Sequence, residues 1–300
     1  NQDYLLHGRA DGVTLSDTHA TIEEIKTSET VFDQLKDNTL TLYWAQVKLY
    51  AHLLIQKFPA LKQVTLTLTY FQTNTETTTQ TEQVLTKEAA KTFFDEVIAE
   101  YVTWLKFRAD LQERRDPTIR QLTFPFDHYR PGQRELAVAV YKTIVTSKRL
   151  FAEAPTGTGK TISTLFPTIK AIGEGLIQRI FYLTAKQSTR RVAEEAITLM
   201  ASQGLKLKSI TLTAKDKIKF PEEADLAPED NPYMLGYYDR LKPALLDLLE
   251  HHDQLTRPVI EQVARKHTLD PFEFQLDASL FCDVIIGDYN YLFDPQVHLQ

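Results

Sequence analysis

The chain has 300 residues, 43% hydrophobic and 25% charged, with a formal net charge of −6 and one cysteine. Its length suggests about two globular domains. The lone Cys282 excludes an internal disulfide and any cysteine-only metal cage. No apolar run approaches the ~18 residues of a membrane span, and the acidic balance argues against a protein that coats nucleic acid through net charge alone. These properties suit a cytoplasmic protein with no membrane partner. The chain opens on Asn1 rather than Met, so it reads as a piece of a longer protein.

Gly12–Leu15 and Ala20–Lys26 read as paired strands around a turn at 16–19. Leu42–Phe58 has the length and periodicity of a helix stopped by Pro59. Val64–Tyr70 alternates as a half-buried strand does. The Thr/Gln/Glu tract 73–83 suits a hairpin loop or an exposed strand pair, and Lys87 to about Glu113 a helix. Arg114-Arg115-Asp116-Pro117 then punctuates the chain. The resulting division is an α+β domain over 1–105, a linker over 106–122 and an α/β domain over 123–300.

Within this first domain, Glu24 and Lys26 stand two apart on a strand and so share a face. A turn after Asp11 can fold the next strand back and set its carboxylate beside Glu24. Two adjacent carboxylates form a hard-oxygen site for Mg²⁺, and a nearby lysine can offset phosphate charge or activate water. Together these groups suit metal-assisted phosphodiester cleavage.

From about residue 124 the pattern changes to strands alternating with helices, the mark of a parallel sheet. A helix is expected over 131–147 and a strand over Arg149–Glu153. Then comes Ala154-Pro155-Thr156-Gly157-Thr158-Gly159-Lys160-Thr161, leading into a helix. This is the strand–loop–helix setting of a phosphate-binding loop. Its glycines let backbone N–H groups curl around phosphate, and the helix N-terminus adds a favourable dipole. Lys160 can reach the β- and γ-phosphates, while the Thr161 hydroxyl can ligate Mg²⁺. ATP and Mg²⁺ are therefore the expected ligands. Strands over 179–184 and 209–212 flank a helix over 190–203. Residues 214–277 break the rhythm and read as a mostly helical insertion, with helices over 237–251 and 258–267. The strand 283–287 resumes it. Three basic clusters leave nucleic acid open as a partner: Arg114-Arg115, Lys186 with Arg190-Arg191, and Lys215, Lys217 and Lys219.

The ordered set Asp11, Glu24, Lys26, Gln46 and Tyr50 resembles the RecB-like PD-(D/E)XK nucleases, in which an Asp precedes a Glu-x-Lys strand and a Gln-x-x-x-Tyr helix follows. That resemblance implies a Mg²⁺-dependent DNA nuclease with Asp11 and Glu24 as metal ligands. The family's upstream helix is expected outside this chain. Residues 124–300 resemble the first motor domain of the DinG/XPD-type superfamily 2 helicases. There Ala is common at the start of the phosphate loop, as at Ala154. Tyr129-Arg130-Pro131-Gly132-Gln133 matches the family's adenine-sensing segment, with Arg130 and Gln133 at the nucleotide, and Phe181–Lys186 with Ser188-Thr189 matches a DNA-contacting motif.

Asp288 ends an apolar strand as a Walker B carboxylate would. In the family, however, a similar Asp-Tyr-Asn-Tyr segment precedes the Asp-Glu-Ala-His box, expected beyond Gln300. On this resemblance the chain binds ATP but does not hydrolyse it efficiently. Many relatives hold an iron–sulfur cluster on four cysteines in the insertion. The comparable places here are Lys219, Leu226 or a neighbour, Asn231 and Asp270, so no cluster is expected, and protein purified anaerobically should lack stoichiometric iron. The function implied is an ATP-dependent DNA helicase fused to a nuclease or exonuclease, acting on DNA with single-stranded character in DNA repair or processing. The alternative is a non-catalytic DNA-binding scaffold with a degenerate nuclease site.

Overall fold

Two four-stranded sheets carry the fold, one mixed and one parallel, and the protein is of the α/β class. The computed structural model describes residues 5–16, 18–35, 37–223, 226–227 and 230–294. The chain forms two compact units that divide between Phe107 and Arg108. Among the described residues no helix is long and apolar enough to cross a membrane.

In the first unit, β1 (Gly12–Leu15) pairs antiparallel with β2 (Ala20–Ser28). Helix α1 (Asp37–Lys57) then carries the chain over to β3 (Gln63–Gln72), which lies parallel to β2. A parallel pair needs such a crossover. Strand β4 (Thr77–Thr86) returns antiparallel to β3. Thus the polar tract 73–83 resolves into a turn over 73–76 and most of an exposed strand. Ala20, Ile22, Val64 and Leu66 on the sheet pack against Val47, Ala51 and Ile55 of α1.

Helix α2 (Lys87–Gln121) runs past the expected helix end near Glu113, so residues 106–121 of the expected linker are helical. Pro117 lacks an N–H and crowds the carbonyl four residues back, which normally ends a helix. Tertiary contacts within the second unit outweigh that cost. Arg115 pairs with Asp116 and Asp283, and Ile119 is fully buried. The Lys170 ammonium donates to the carbonyls of Ile119, Arg120 and Leu122 at 2.9, 2.9 and 3.2 Å. A cation at a helix C-terminus satisfies orphan carbonyls and complements the dipole. Lys170→Met should therefore cost about 1–3 kcal/mol, read as a lower urea midpoint. An unchanged midpoint would show that the cap contributes nothing.

The second unit continues through α3 (Gln133–Val145), α4 (Lys160–Gly173), β5 (Ile180–Leu183), α5 (Gln187–Ser202) and β6 (Ser209–Thr211). Then follow α6 (Lys215–Ile218), α7 (Tyr237–His251), β7 (Gln254–Leu255), α8 (Arg257–His267), α9 (Pro271–Ser279), β8 (Val284–Gly287) and α10 (Asn290–Phe293). The strand order is β5-β8-β6-β7, all parallel. Ile162, Leu165 and Ile169 of α4 and Ala193, Ile197 and Met200 of α5 share one core with Val284 and Ile286 of β8.

Two expectations fail here. Segment 214–277 is not wholly an insertion, because its β7 pairs with β6 at the sheet edge. Residues 149–153 form no strand, and Phe151 is 94% exposed. Both ladder sides of β8 are taken by β5 and β6, and the segment pairs along neither outer edge. Apolar content without a ladder partner does not make a strand.

Candidate functional site

Strand β2 lies between β1 and β3, and its alternate residues Ala20, Ile22, Glu24 and Lys26 share the face that meets α1. The first two enter the core. The next two continue the same face with polar groups, and Glu24 is only 2% exposed. On α1, Gln46 and Tyr50 stand one position before the core residues Val47 and Ala51, so they flank the apolar seam. The side chains join in a chain of contacts. Lys26 Nζ donates to Glu24 Oε1 at 2.5 Å and to Gln46 Oε1 at 3.0 Å, and Gln46 Nε2 donates to the Tyr50 hydroxyl at 3.1 Å.

Asp11 stands one residue before the Gly12↔Glu23 pair. Its Oδ2 accepts from the Ile25 backbone N–H at 2.8 Å, which anchors the carboxylate between the levels of Glu24 and Lys26. Four of the residues expected at a nuclease centre, Glu24, Lys26, Gln46 and Tyr50, are thereby joined by side-chain contacts from β2 and α1, and Asp11 is held on the backbone of β2 beside them. Neighbouring Glu23 faces the opposite side, accepting from Thr69 Oγ1. Sequence reasoning missed Tyr43, whose ring lies 5.2 Å from Lys26 Nζ, a cation–π contact. Its position three residues before Gln46, on the same helix face, was the available signal.

Glu24 Oε2 is buried and has no hydrogen-bond partner. A buried carboxylate oxygen without a donor is costly, and a cation would relieve that cost. The unpartnered Glu24 oxygen therefore suits a hard divalent ion, with Asp11 as the second carboxylate expected from the sequence. Among the described residues no three His, Cys, Asp or Glu side chains converge. Such an ion would accordingly draw its other ligands from water and substrate, as Mg²⁺ commonly does.

The second site lies around the start of α4. Gly157 and Gly159 have φ of 84° and 77°, a region glycine enters without steric cost. Lys160 Nζ folds back onto the Ala154 and Pro155 carbonyls at 2.8 Å each, and Thr158 Oγ1 donates to the Pro155 carbonyl at 2.9 Å. Arg130 Nη1 donates to the Gly157 carbonyl at 2.6 Å. Gln133 is buried, accepts from the Arg130 N–H through Oε1 at 2.9 Å, and sets its Nε2 against Gly159. Thus Arg130, Gln133 and the loop 154–161 form one assembly. Thr161 Oγ1 accepts from the Tyr182 hydroxyl at 3.3 Å. Sequence reasoning placed Tyr182 in the segment matched to DNA contact and gave it no part at the phosphate loop; its hydroxyl ties β5 to Thr161.

Asp288 is engaged elsewhere, paired with Arg190 at 3.0 Å. Its carboxylate and that member of the Lys186–Arg191 basic cluster largely neutralise each other. In segment 214–277, Asn231 donates to Glu223 Oε2 at 2.9 Å and accepts from the Tyr233 N–H at 2.9 Å. Asp270 caps α9 by accepting from the Phe272 and Glu273 N–H groups at 2.8 and 2.9 Å. Burial raises the Glu223 carboxyl above its ordinary range, and the neighbouring Asp270 charge adds to this. These buried groups satisfy one another through hydrogen bonds, as interior polar atoms must.

No protein-family model matches the chain, and no curated protein matches it in sequence.

Proposed function

We propose that the chain joins a RecB-like PD-(D/E)XK nuclease unit to the first motor domain of a DinG/XPD-like DNA helicase, acting on single-stranded DNA in the cytoplasm. The observation that carries the reading is the contact chain Glu24–Lys26–Gln46–Tyr50, with Asp11 bonded to the backbone N–H of Ile25, between Glu24 and Lys26. The assembly of Arg130 and Gln133 with the 154–161 loop supports its ATP-binding half.

Asp11 and Glu24 would hold Mg²⁺ in the nuclease unit. When bound, that ion supplies Lewis acidity at the scissile phosphate and a more acidic water. The protein's own part is positional and electrostatic. Lys26 places a positive charge beside the carboxylates, Gln46 and Tyr43 hold its ammonium in place, and Tyr50 orients the Gln46 amide. In the motor unit, Lys160 would exchange its carbonyl partners for the β- and γ-phosphates of ATP. The glycine-rich backbone and the α4 N-terminus would face the same charge, and Thr161 would hold the nucleotide's Mg²⁺.

The test is cleavage of an end-labelled single-stranded oligonucleotide with Mg²⁺ or Mn²⁺, comparing the unaltered chain with Asp11→Ala. Cleavage should be lost in the variant. Equal background in both would favour the scaffold reading. For the motor, single-stranded DNA should stimulate ATP hydrolysis by the complete protein, and Lys160→Ala should abolish it.

A further inference from the structure

We infer that the second unit has another polyanion-binding groove, on the edge of the parallel sheet away from the phosphate loop, and that it takes the phosphates of a nucleic-acid strand. The groove encloses about 1030 Å³. It lies where the parallel strands begin: Arg179 immediately precedes β5, Lys206 and Lys208 precede β6, Asp253 precedes β7 and Asp283 precedes β8. The contact between Tyr182 and Thr161, and Asp288 just past the end of β8, lie toward the other ends of these strands. The last third of α2 forms the facing wall.

Its charge is unbalanced. Of the four lining carboxylates, Asp116 and Asp283 are held by Arg115, and Asp253 by Lys208. Arg108, Arg114, Arg179 and Lys206 have no ion-pair partner among the described residues; against Glu250 and the one carboxylate charge that Arg115 alone does not offset, the lining keeps a formal excess of two positive charges. Backbone carbonyls aim two of the guanidinium groups, Arg114 through Asp110 and Arg179 through Leu280. The chain as a whole carries a net charge of −6, yet four unpaired cations from three separate segments meet on one concave surface. Such a surface focuses positive potential. Arginine forks match phosphate oxygens in bidentate fashion, and the groove is much larger than a single phosphate needs. The choice of nucleic acid over another polyanion rests on the function proposed above.

The probe is a fluorescent 20-nucleotide thymidine oligomer with EDTA present and no nucleotide, followed by polarisation across a salt series. The variant Arg108→Glu/Arg179→Glu/Lys206→Glu should bind at least ~10-fold more weakly. Its log–log salt slope should be shallower by about two, the loss expected for three single-strand phosphate contacts. The charge-conserving Arg179→Lys/Lys206→Arg should keep the full salt slope and most of the affinity, separating charge from folding. Independently of any variant, bound oligomer should protect Lys206 from acetylation. Unchanged affinity and slope, or equal acetylation with and without oligomer, would overturn the inference. So would a charge-reversed variant that keeps oligomer binding but loses poly-glutamate binding, which would assign the groove to an acidic peptide. Cleavage by Asp11→Ala and nucleotide binding by Lys160→Ala are separate readouts, so failure of the groove and failure of the proposed function are distinguishable.

Discussion

Glu24→Gln should abolish metal-dependent cleavage while leaving the first unit folded. The substitution keeps shape and keeps an oxygen for Lys26 Nζ, which now donates to Oε1 at 2.5 Å. It removes the negative charge that a cation would require, and the loss of several kcal/mol of charge stabilisation corresponds to a rate drop of about a thousandfold or more. Stability should fall by less than in Lys26→Met, because the Lys26 side chain is 24% exposed and keeps an oxygen acceptor. Lys26→Met should behave differently. It strands the Glu24 carboxylate, 2% exposed, without its cation, and removing one partner of a buried pair costs roughly 3–5 kcal/mol. The double variant Glu24→Gln/Lys26→Met should recover much of that loss. Urea denaturation of all three variants, beside the cleavage assay, checks the set. Cleavage by Glu24→Gln at the unaltered rate would remove Glu24 from the site.

Nucleotide binding should fail in two physically different ways at neighbouring positions. Lys160→Ala deletes the ammonium that now bridges the Ala154 and Pro155 carbonyls. Losing a charged hydrogen bond to phosphate is worth about 1.5–3 kcal/mol, so a fluorescent ATP analogue should bind roughly 10–100-fold more weakly. Gly159→Ala leaves every charge in place. A Cβ there would stand 2.2 Å from Gln133 Nε2, at a φ of +77°. The loop must then deform or expel the Gln133 amide, and both the phosphate and the adenine sides of the site should suffer. Lys160→Ala should weaken ATP and inorganic triphosphate alike, since both present phosphates. Equal analogue affinity in the unaltered chain and both variants would show that the loop holds no nucleotide.

Much of both candidate sites was legible before any fold was known, for a local reason. A two-residue strand period puts Glu24 and Lys26 on one face, and a four-residue helix spacing does the same for Gln46 and Tyr50. A glycine-rich loop ending in Lys-Thr states its own chemistry through backbone freedom and side-chain charge. Such features depend on nearest neighbours along the chain, and sequence records those directly.

Features set by distant partners were not legible. Pro117 marks a helix end by every local rule, yet α2 runs to Gln121 because Lys170, some fifty residues later, caps its carbonyls and Asp283 holds Arg115. Residues 149–153 look like a strand, but they pair along neither outer edge of the sheet and so make no ladder bonds. Gln254–Leu255, unremarkable in an interrupted segment, become a strand because β6 presents an open edge. Spacing and residue chemistry along the chain were enough to name Glu24, Lys26 and Lys160. The company they keep was settled by packing: the unpartnered oxygen of Glu24, the Tyr43 ring over Lys26, Gln133 pressed against Gly159. Burial and ladder pairing are summed over contacts between residues far apart in sequence, and no local pattern carries that sum.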